Sequence, residues 1–464
     1  MAKAISDRVT VMANTLNALL GVAVFAMPWG FQQSGILGGI VILWAVGLLS
    51  FETARILLVS QKALFETDGV VRGYPEMAEC TLGPIWSKVV QITTVVSCLG
   101  GCTGYVIFFG QTLGQAFSLP TETVIFVSTL PLILLSWIKS FKELSLVTAF
   151  GVFALVASVI ILLMDGASQM HDVQDTPLIL PASMLTFAGS ATFLFTIHYC
   201  VLSIGEEWLK THPWVISRSQ SLVGGAFSPS VSKKTTSSSR KQDSGRVDDE
   251  STKINNSNYS SQHDDIADND DAVFRELSSS IAISYAIAAT IITIVGACGY
   301  VMYRDVDLVR GAHHKIVGGC NEPVCQNVIL NISPGILRNC VGVTMSLVIG
   351  FSYLVILAPA REHIEEAVIQ FLNPQNEIRT TIIEKAVRTG LVLLNVIVAV
   401  KAPFFGGVLG AVGGLTDAFL CFVLPPLIYR NAMGDDLSPM SSNCYVLITV
   451  FGVIIVAHTV LSLL

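Results

Sequence analysis

Charged side chains are scarce: Asp, Glu, Lys and Arg supply 13% of the 464 residues, where an average soluble domain carries about 25%. A surface so short of charge faces something other than water. Basic residues do not outnumber acidic ones, and the formal net charge of −7 leaves no basic face for nucleic acid. The ten cysteines are scattered, and Cys98, Cys102, Cys200, Cys298, Cys340 and Cys421 lie in apolar runs, so neither a zinc set nor a disulfide framework is written here. A phosphate loop is also lacking. The Gly-rich stretch GGVLGAVGG at 406–414 has no Lys-Ser/Thr after it and reads as close helix packing. A cleavable leader is not expected either, because the first apolar segment is long and runs on into a second.

What the sequence has is apolar length. Hydrophobic residues make up 52% and mean hydropathy is +0.65. About eleven runs fit the thickness of a bilayer: residues 9–31, 37–60, 89–117, 123–138, 146–164, 181–204, 277–303, 336–357, 383–400, 406–429 and 445–464. The expected class is an all-α, multi-pass integral membrane protein in one membrane domain, with spans one to six in 1–216 and seven to eleven in 273–464. Counting Lys and Arg in the short loops puts thirteen on the side of Met1 and four (Arg304, Arg310, Lys315 and Lys401) on the other. Basic loops stay cytoplasmic, so the N-terminus is expected inside.

Between the two groups of spans, residues 217–272 are rich in Ser, Asp, Asn and Lys. Such a segment buries too little apolar area to offset the entropy of ordering it, and is expected to be a disordered cytoplasmic loop. It is either a phosphorylated or partner-binding regulatory segment or a tolerated insertion. The sequons at Asn255 and Asn258 would stay unglycosylated on that side. Beyond span seven, Cys320 and Cys325 (GCNEPVC) lie in an outer or lumenal loop, either bridged or as free thiols. A third sequon, Asn331-Ile332-Ser333, abuts the next span there.

Helix breaks at bilayer depth are tolerated only where they are buried in protein or line a cavity, so they point to function. Span one (NALLGVAVFAMPWGF) has Gly21 near its middle and Pro28 beyond it; span six (PASMLTFAGSATFLFTIHY) has Gly189 and Ser190 near mid-membrane. If the first ten spans are two five-span halves, these segments correspond, as in inverted-repeat secondary transporters. Unwound backbone near Gly21, Val22 and Ala23 would offer N–H groups to a carboxylate, and freed carbonyls around Phe187, Ala188 and Gly189 would accept from an ammonium. A zwitterionic amino acid meets both demands. Simple kinking or packing by Gly and Pro is the other reading.

Four segments carry a resemblance: residues 17–31, set against N-x-x-x-G-x-G-x-L-x-x-P with Ala23 in place of the second glycine and Phe25 in place of the Leu, 185–207, FSYLVILAPARE at 351–362, and APFFGGVLGAVGGLTDAFLCFVLPPLIYR at 402–430. On these the chain resembles the amino acid/auxin permease family, which includes vesicular inhibitory, proton-coupled and sodium-coupled neutral amino acid transporters. The resemblance implies a LeuT-like fold, a 5+5 inverted repeat with helices one and six discontinuous plus one extra helix, and transport by alternating access. It places substrate on Gly21, Val22, Ala23 and on Phe187, Ala188, Gly189 and Ser190. It also matches Asn17 to an asparagine near the ion site of sodium-coupled members, with Ser346 or Ser352 as partner. Capping of a broken helix is the other role for Asn17.

His198, two turns past Gly189, suits a proton-coupling or gating residue, or else a packing histidine. Glu206, Glu207 and Asp417 read as solvated or interfacial carboxylates, with a gate ion pair as the other reading. The expected function is secondary amino acid transport coupled to H+, with Na+ or a transporter-like sensor as alternatives, and without a metal, cofactor or enzymatic step. The membrane is either the plasma membrane or a vacuolar or lysosomal type.

Overall fold

The computed structural model describes residues 2–68, 70–138, 144–169, 176–210, 250–304, 320, 322–434 and 439–464. Among the described residues there are helices and no strands. In chain order the helices are α1 (Ala2–Leu19), α2 (Met27–Ser34), α3 (Ile36–Asp68), α4 (Tyr74–Leu82), α5 (Pro84–Phe117), α6 (Thr121–Ser136), α7 (Leu144–Gln169), α8 (Met184–Phe195), α9 (His198–Lys210), α10 (Glu250–Tyr303), α11 (Ile336–Leu372), α12 (Glu377–Lys401), α13 (Phe405–Val412), α14 (Leu424–Met433) and α15 (Pro439–Leu463). All eleven apolar runs fall on helices. Seven stretches are by themselves long and apolar enough to cross a bilayer among the described residues, and an eighth is counted if the bent pair Arg8–Leu19 and Val22–Ser34 is one span. Thr121–Ser136 and Phe153–Gln169 are apolar but shorter.

Of the polar stretch 217–272, residues 217–249 lie outside the described residues. Residues 250–272 are helical and open α10, which corrects the expectation of irregular chain there. Once a span has formed, adding a residue to its end gains a hydrogen bond without paying again for nucleation.

The apolar composition is used on both faces. Phe126, Leu130, Leu447 and Leu461 are exposed, as lipid-facing side chains are, whereas Phe25, Phe108, Phe187, Phe195, Phe405 and Phe422 fill the interior. At the centre, α5 runs along α11, α1 lies on α10, and α8 packs against α3 and α13.

Two helices are interrupted at the centre of this bundle. In span one, Leu20 and Gly21 leave the helix, Gly21 is extended (φ −95°, ψ −176°), and the chain resumes as a 3₁₀ turn over Val22–Ala26, the two halves bent by 43°. Pro28 does not cause this break: it stands in the first turn of α2, where a missing N–H is harmless. In span six the break is at Thr196 (φ −82°, ψ 94°) and Ile197, between α8 and α9. The expected break at Gly189 and Ser190 is thereby corrected: both lie within the continuous helix α8. Gly189 serves packing instead, since a Cβ there would come within 2.5 Å of the Gly410 carbonyl oxygen, and a Cβ on Gly413 would collide with the Gly189 carbonyl. Span ten also departs from α geometry, with π turns at Gly413–Asp417 and Phe419–Val423.

Candidate functional site

The two breaks face each other across a small cavity of about 50 Å³. Gly21 and Ala23 come from the first break, Leu194, Thr196 and Tyr199 from the second, and Ser97, Gly101 and Tyr105 from successive turns of α5. Phe193 and Ile356 add apolar wall, and Asp417 closes the side formed by span ten.

The backbone at both breaks is open. Among the described residues the amides of Gly21, Val22 and Ala23 have no backbone acceptor, and the carbonyls of Leu194 and Thr196 have no backbone donor. An incoming helix end offers positive partial charge and an outgoing one negative, so the Gly21 break suits an anion and the C-terminal end of α8 a cation. The neighbouring carbonyls are already engaged: Thr192 O accepts from Thr196 Oγ1 at 2.7 Å and Phe195 O from the Tyr285 hydroxyl at 3.1 Å. Gly21 is needed for space, because its φ is one that any residue adopts but a Cβ would lie 3.3 Å from the Tyr105 hydroxyl.

The structure distributes the sequence-predicted residues as follows. Gly21 and Ala23 line the cavity and Val22 is buried behind them. Phe187, Ala188, Gly189 and Ser190 are buried six to nine residues before Thr196 and are not in the cavity wall. The Ser190 hydroxyl is buried without a partner. Asn17 is half-buried next to Ala18, which lines the cavity, and makes no hydrogen bond among the described residues. Ser352 sits one helical turn before Ile356 on α11. Ser346 is two turns and more away from Ile356 and is already committed, donating to Gly342 O at 2.7 Å and lying 3.0 Å from Thr112 Oγ1.

His198 is fully buried outside the cavity wall, between two neutral groups: Thr53 Oγ1 is 2.9 Å from Nε2 and Cys421 Sγ is 3.0 Å from Nδ1. Thr53 donates its own proton to Leu49 O at 2.9 Å. It therefore accepts from Nε2–H, and Nδ1 is left to accept from the thiol. The ring thus ties α3 and the π segment of span ten to the second break.

Asp417 is the residue that composition alone misplaced. It is 1% exposed, neither solvated nor interfacial, and no basic side chain pairs with it among the described residues. Ser97 donates to its Oδ1 at 2.5 Å and Thr416 reaches the same oxygen at 3.5 Å. An acidic residue inside an apolar span is itself a signal of function. So is the spacing of Ser97, Gly101 and Tyr105, which puts small and polar residues on one face of α5.

Beyond α2 the loop at 320–334 lies over the bundle. Cys320 and Cys325 are joined in a disulfide, Trp29 donates to Glu322, and Gln32 accepts from the Val324 amide at 3.0 Å. Gln326 accepts from the Gly406 and Gly407 amides at 2.9 and 3.3 Å, and Gln115 donates to Leu330 O at 3.0 Å. These contacts join α2, α5 and α13 at the end of the molecule away from the α1 half-helix.

Three comparisons bear on this arrangement. A model of the family described as transmembrane amino acid transporter protein matches residues 6–213 and 267–464. Among curated proteins, the chain is similar to amino acid transporter AVT1E of Arabidopsis thaliana, at 20% identity over 95% of this chain and 70% of that one. It is also similar to amino acid transporter AVT1C of the same plant, at 22% identity over 95% and 66%. The chain thus spans about two thirds of the length of these relatives. Among solved structures, a Na+-coupled sialic acid symporter overlaps 97% of this chain and 98% of its own, with 10% identity and a TM-score of 0.47.

Proposed function

Because the chain belongs to the transmembrane amino acid transporter family, we propose that it is a secondary active transporter of amino acids, working by alternating access and coupled to protons. The observation that carries this reading is the meeting of two interrupted helices at one cavity, with free amides at Gly21 to Ala23 and free carbonyls at Leu194 and Thr196. The substrate's carboxylate goes to the amides and its ammonium to the carbonyls. The apolar wall of Leu19, Phe193 and Ile356 then takes the side chain.

In the same reading the first ten spans form two inverted five-span halves of the LeuT type, with the N-terminus in the cytoplasm and the protein in a plasma or vacuolar/lysosomal-type membrane. The 320–334 loop closes the outer path, and the cavity opens alternately past it and past the inner halves of spans one and six. Sodium is the second reading. It is favoured by the uncommitted Asn17 amide beside the cavity and by Ser352 one turn from Ile356, although a sodium site needs several oxygens more. A regulatory partner for residues 217–272, as in a nutrient sensor, stays within the proposal.

The test is uptake by the purified protein in liposomes across a panel of amino acids, with pH and sodium gradients imposed separately. Accumulation driven by the pH gradient alone supports proton coupling. Accumulation driven by sodium alone transfers the role to the second reading. No exchange of any amino acid removes the transport reading.

A further inference from the structure

Resting on the transport reading above, we infer that Asp417 is the group that carries the coupling proton, taking it up in the cavity beside the substrate and returning it to water on the other side. Three observations converge on it. First, Asp417 is a buried carboxylate in the cavity wall, and in the lipid interior such a group marks a proton or ion path by default. Secondly, its one close hydrogen bond, from Ser97, comes to Oδ1, and Thr416, which donates its proton to Val412 O at 2.8 Å, lies 3.5 Å from that same oxygen. Among the described residues nothing donates to Oδ2, the oxygen left for the cavity. Thirdly, it ends a π turn, a departure from α geometry that is frequent at functional sites.

Among the described residues its surroundings hold no fixed positive charge to balance it. From α5 come Ser97, Cys98 and Tyr105, from the start of α9 Tyr199 and Cys200, and from its own span Cys421, one turn on. Helices α8 and α13 contribute no titratable side chain. On α15, which packs behind Gly413–Asp417, the titratable neighbour is His458, beside the Thr459 that touches Gly414. The charge on Asp417 is therefore balanced by a proton taken up from the cavity. His198 does not compete for this role, since its nitrogens are occupied by Thr53 and Cys421 away from the cavity. The step makes and breaks one O–H bond. Water entering on one side protonates the carboxylate, and the same proton leaves to water when the cavity opens on the other side.

The experiment compares wild type, Asp417→Asn and Asp417→Glu, reconstituted at equal yield, with the amino acid that wild type exchanges best. Two assays are run: exchange without gradients, and accumulation driven by a pH gradient. For Asp417→Asn, accumulation is expected to fall by roughly tenfold or more while exchange persists within about tenfold of wild type. Asp417→Glu, which keeps the acid, is expected to keep both. As a second measurement, the substrate Kd of wild type in detergent changes with pH, by up to about one log unit per pH unit, and that of Asp417→Asn does not. The proposal is overturned if Asp417→Asn accumulates substrate like wild type, or if it loses exchange and accumulation together while still binding substrate with an unchanged pH profile. Absence of exchange by wild type would overturn the transport reading, and this proposal with it.

Discussion

The Gly189 carbonyl of α8 sits where a Cβ on Gly413 would stand, so the sixth and tenth spans touch backbone to backbone. Gly410 and Gly414 extend the contact, with the Gly410 carbonyl and the Gly414 amide both against Gly189. Neither helix can yield locally, because the atoms in conflict are main chain. Gly413→Ala is therefore expected to destabilise the bundle by about 1–3 kcal/mol, the usual cost of overpacking. Loss of the monodisperse size-exclusion peak at lower temperature than wild type checks this, and an unchanged melting profile would show that the two helices are not so close.

Gly21 makes a different demand. Its φ and ψ suit any residue, yet a Cβ would lie 3.3 Å from the Tyr105 hydroxyl inside the cavity. Gly21→Val adds two further methyl groups in the space where the amides of the first break are open. Transport is expected to be lost while the protein still inserts and purifies normally, because the insertion-determining apolar length is unchanged. Uptake at the wild-type rate would count against the cavity as the substrate site.

Part of the cavity is legible in the sequence: Gly21 and Ala23 line it, while residues 187–190 do not. The span-one break falls at Gly21, where the sequence places it, although packing is the other use of a glycine in an apolar run. The span-six break does not fall where the sequence places it, because the same argument pointed to Gly189, which packs, while the chain opens at Thr196 and Ile197. Those residues are β-branched, and Thr196 turns its hydroxyl back to the Thr192 carbonyl. Nothing in that pattern separates a break from an ordinary membrane helix until the neighbouring helices are in place. Asp417 was visible as an acid in span ten, but its seat in the cavity depends on Ser97, 320 positions away.

Asn331 stands in a sequon, but the fold leaves no room for a glycan. It is 4% exposed, its Oδ1 accepts from the Cys325 amide at 2.9 Å, and its Nδ2 donates to Pro323 O at 3.0 Å. The side chain thereby braces the disulfide loop. Glycosidase treatment is expected to leave the mobility of the protein unchanged. Asn331→Ala, which strips the acceptor from the buried Cys325 amide and the donor from the carbonyl of the exposed Pro323, should cost about 1–3 kcal/mol, read as a lower melting temperature. A mobility shift on deglycosylation that Asn331→Gln abolishes would contradict the placement of this loop.

Arg388 was one of the basic residues from which the topology was counted, yet it is buried, as is Glu365 on α11. The guanidinium is forked onto that carboxylate, Nε to Oε1 at 2.6 Å and Nη2 to Oε2 at 3.2 Å, while Nη1 reaches Trp137 O at 3.3 Å at the end of α6. A cation at the C-terminal end of a helix is well placed electrostatically, and here it joins three helices. Removing one partner strands the other charge in a dry site, so Arg388→Ala and Glu365→Ala are each expected to cost about 3–5 kcal/mol. The double variant Arg388→Met with Glu365→Leu, which removes both charges of the pair but also takes the guanidinium from Glu384, 4.0 Å away, should regain part of that loss. Melting profiles of the three variants decide it. If the double variant falls as far as the sum of the two single losses, the ion pair is not the unit that holds α6, α11 and α12 together.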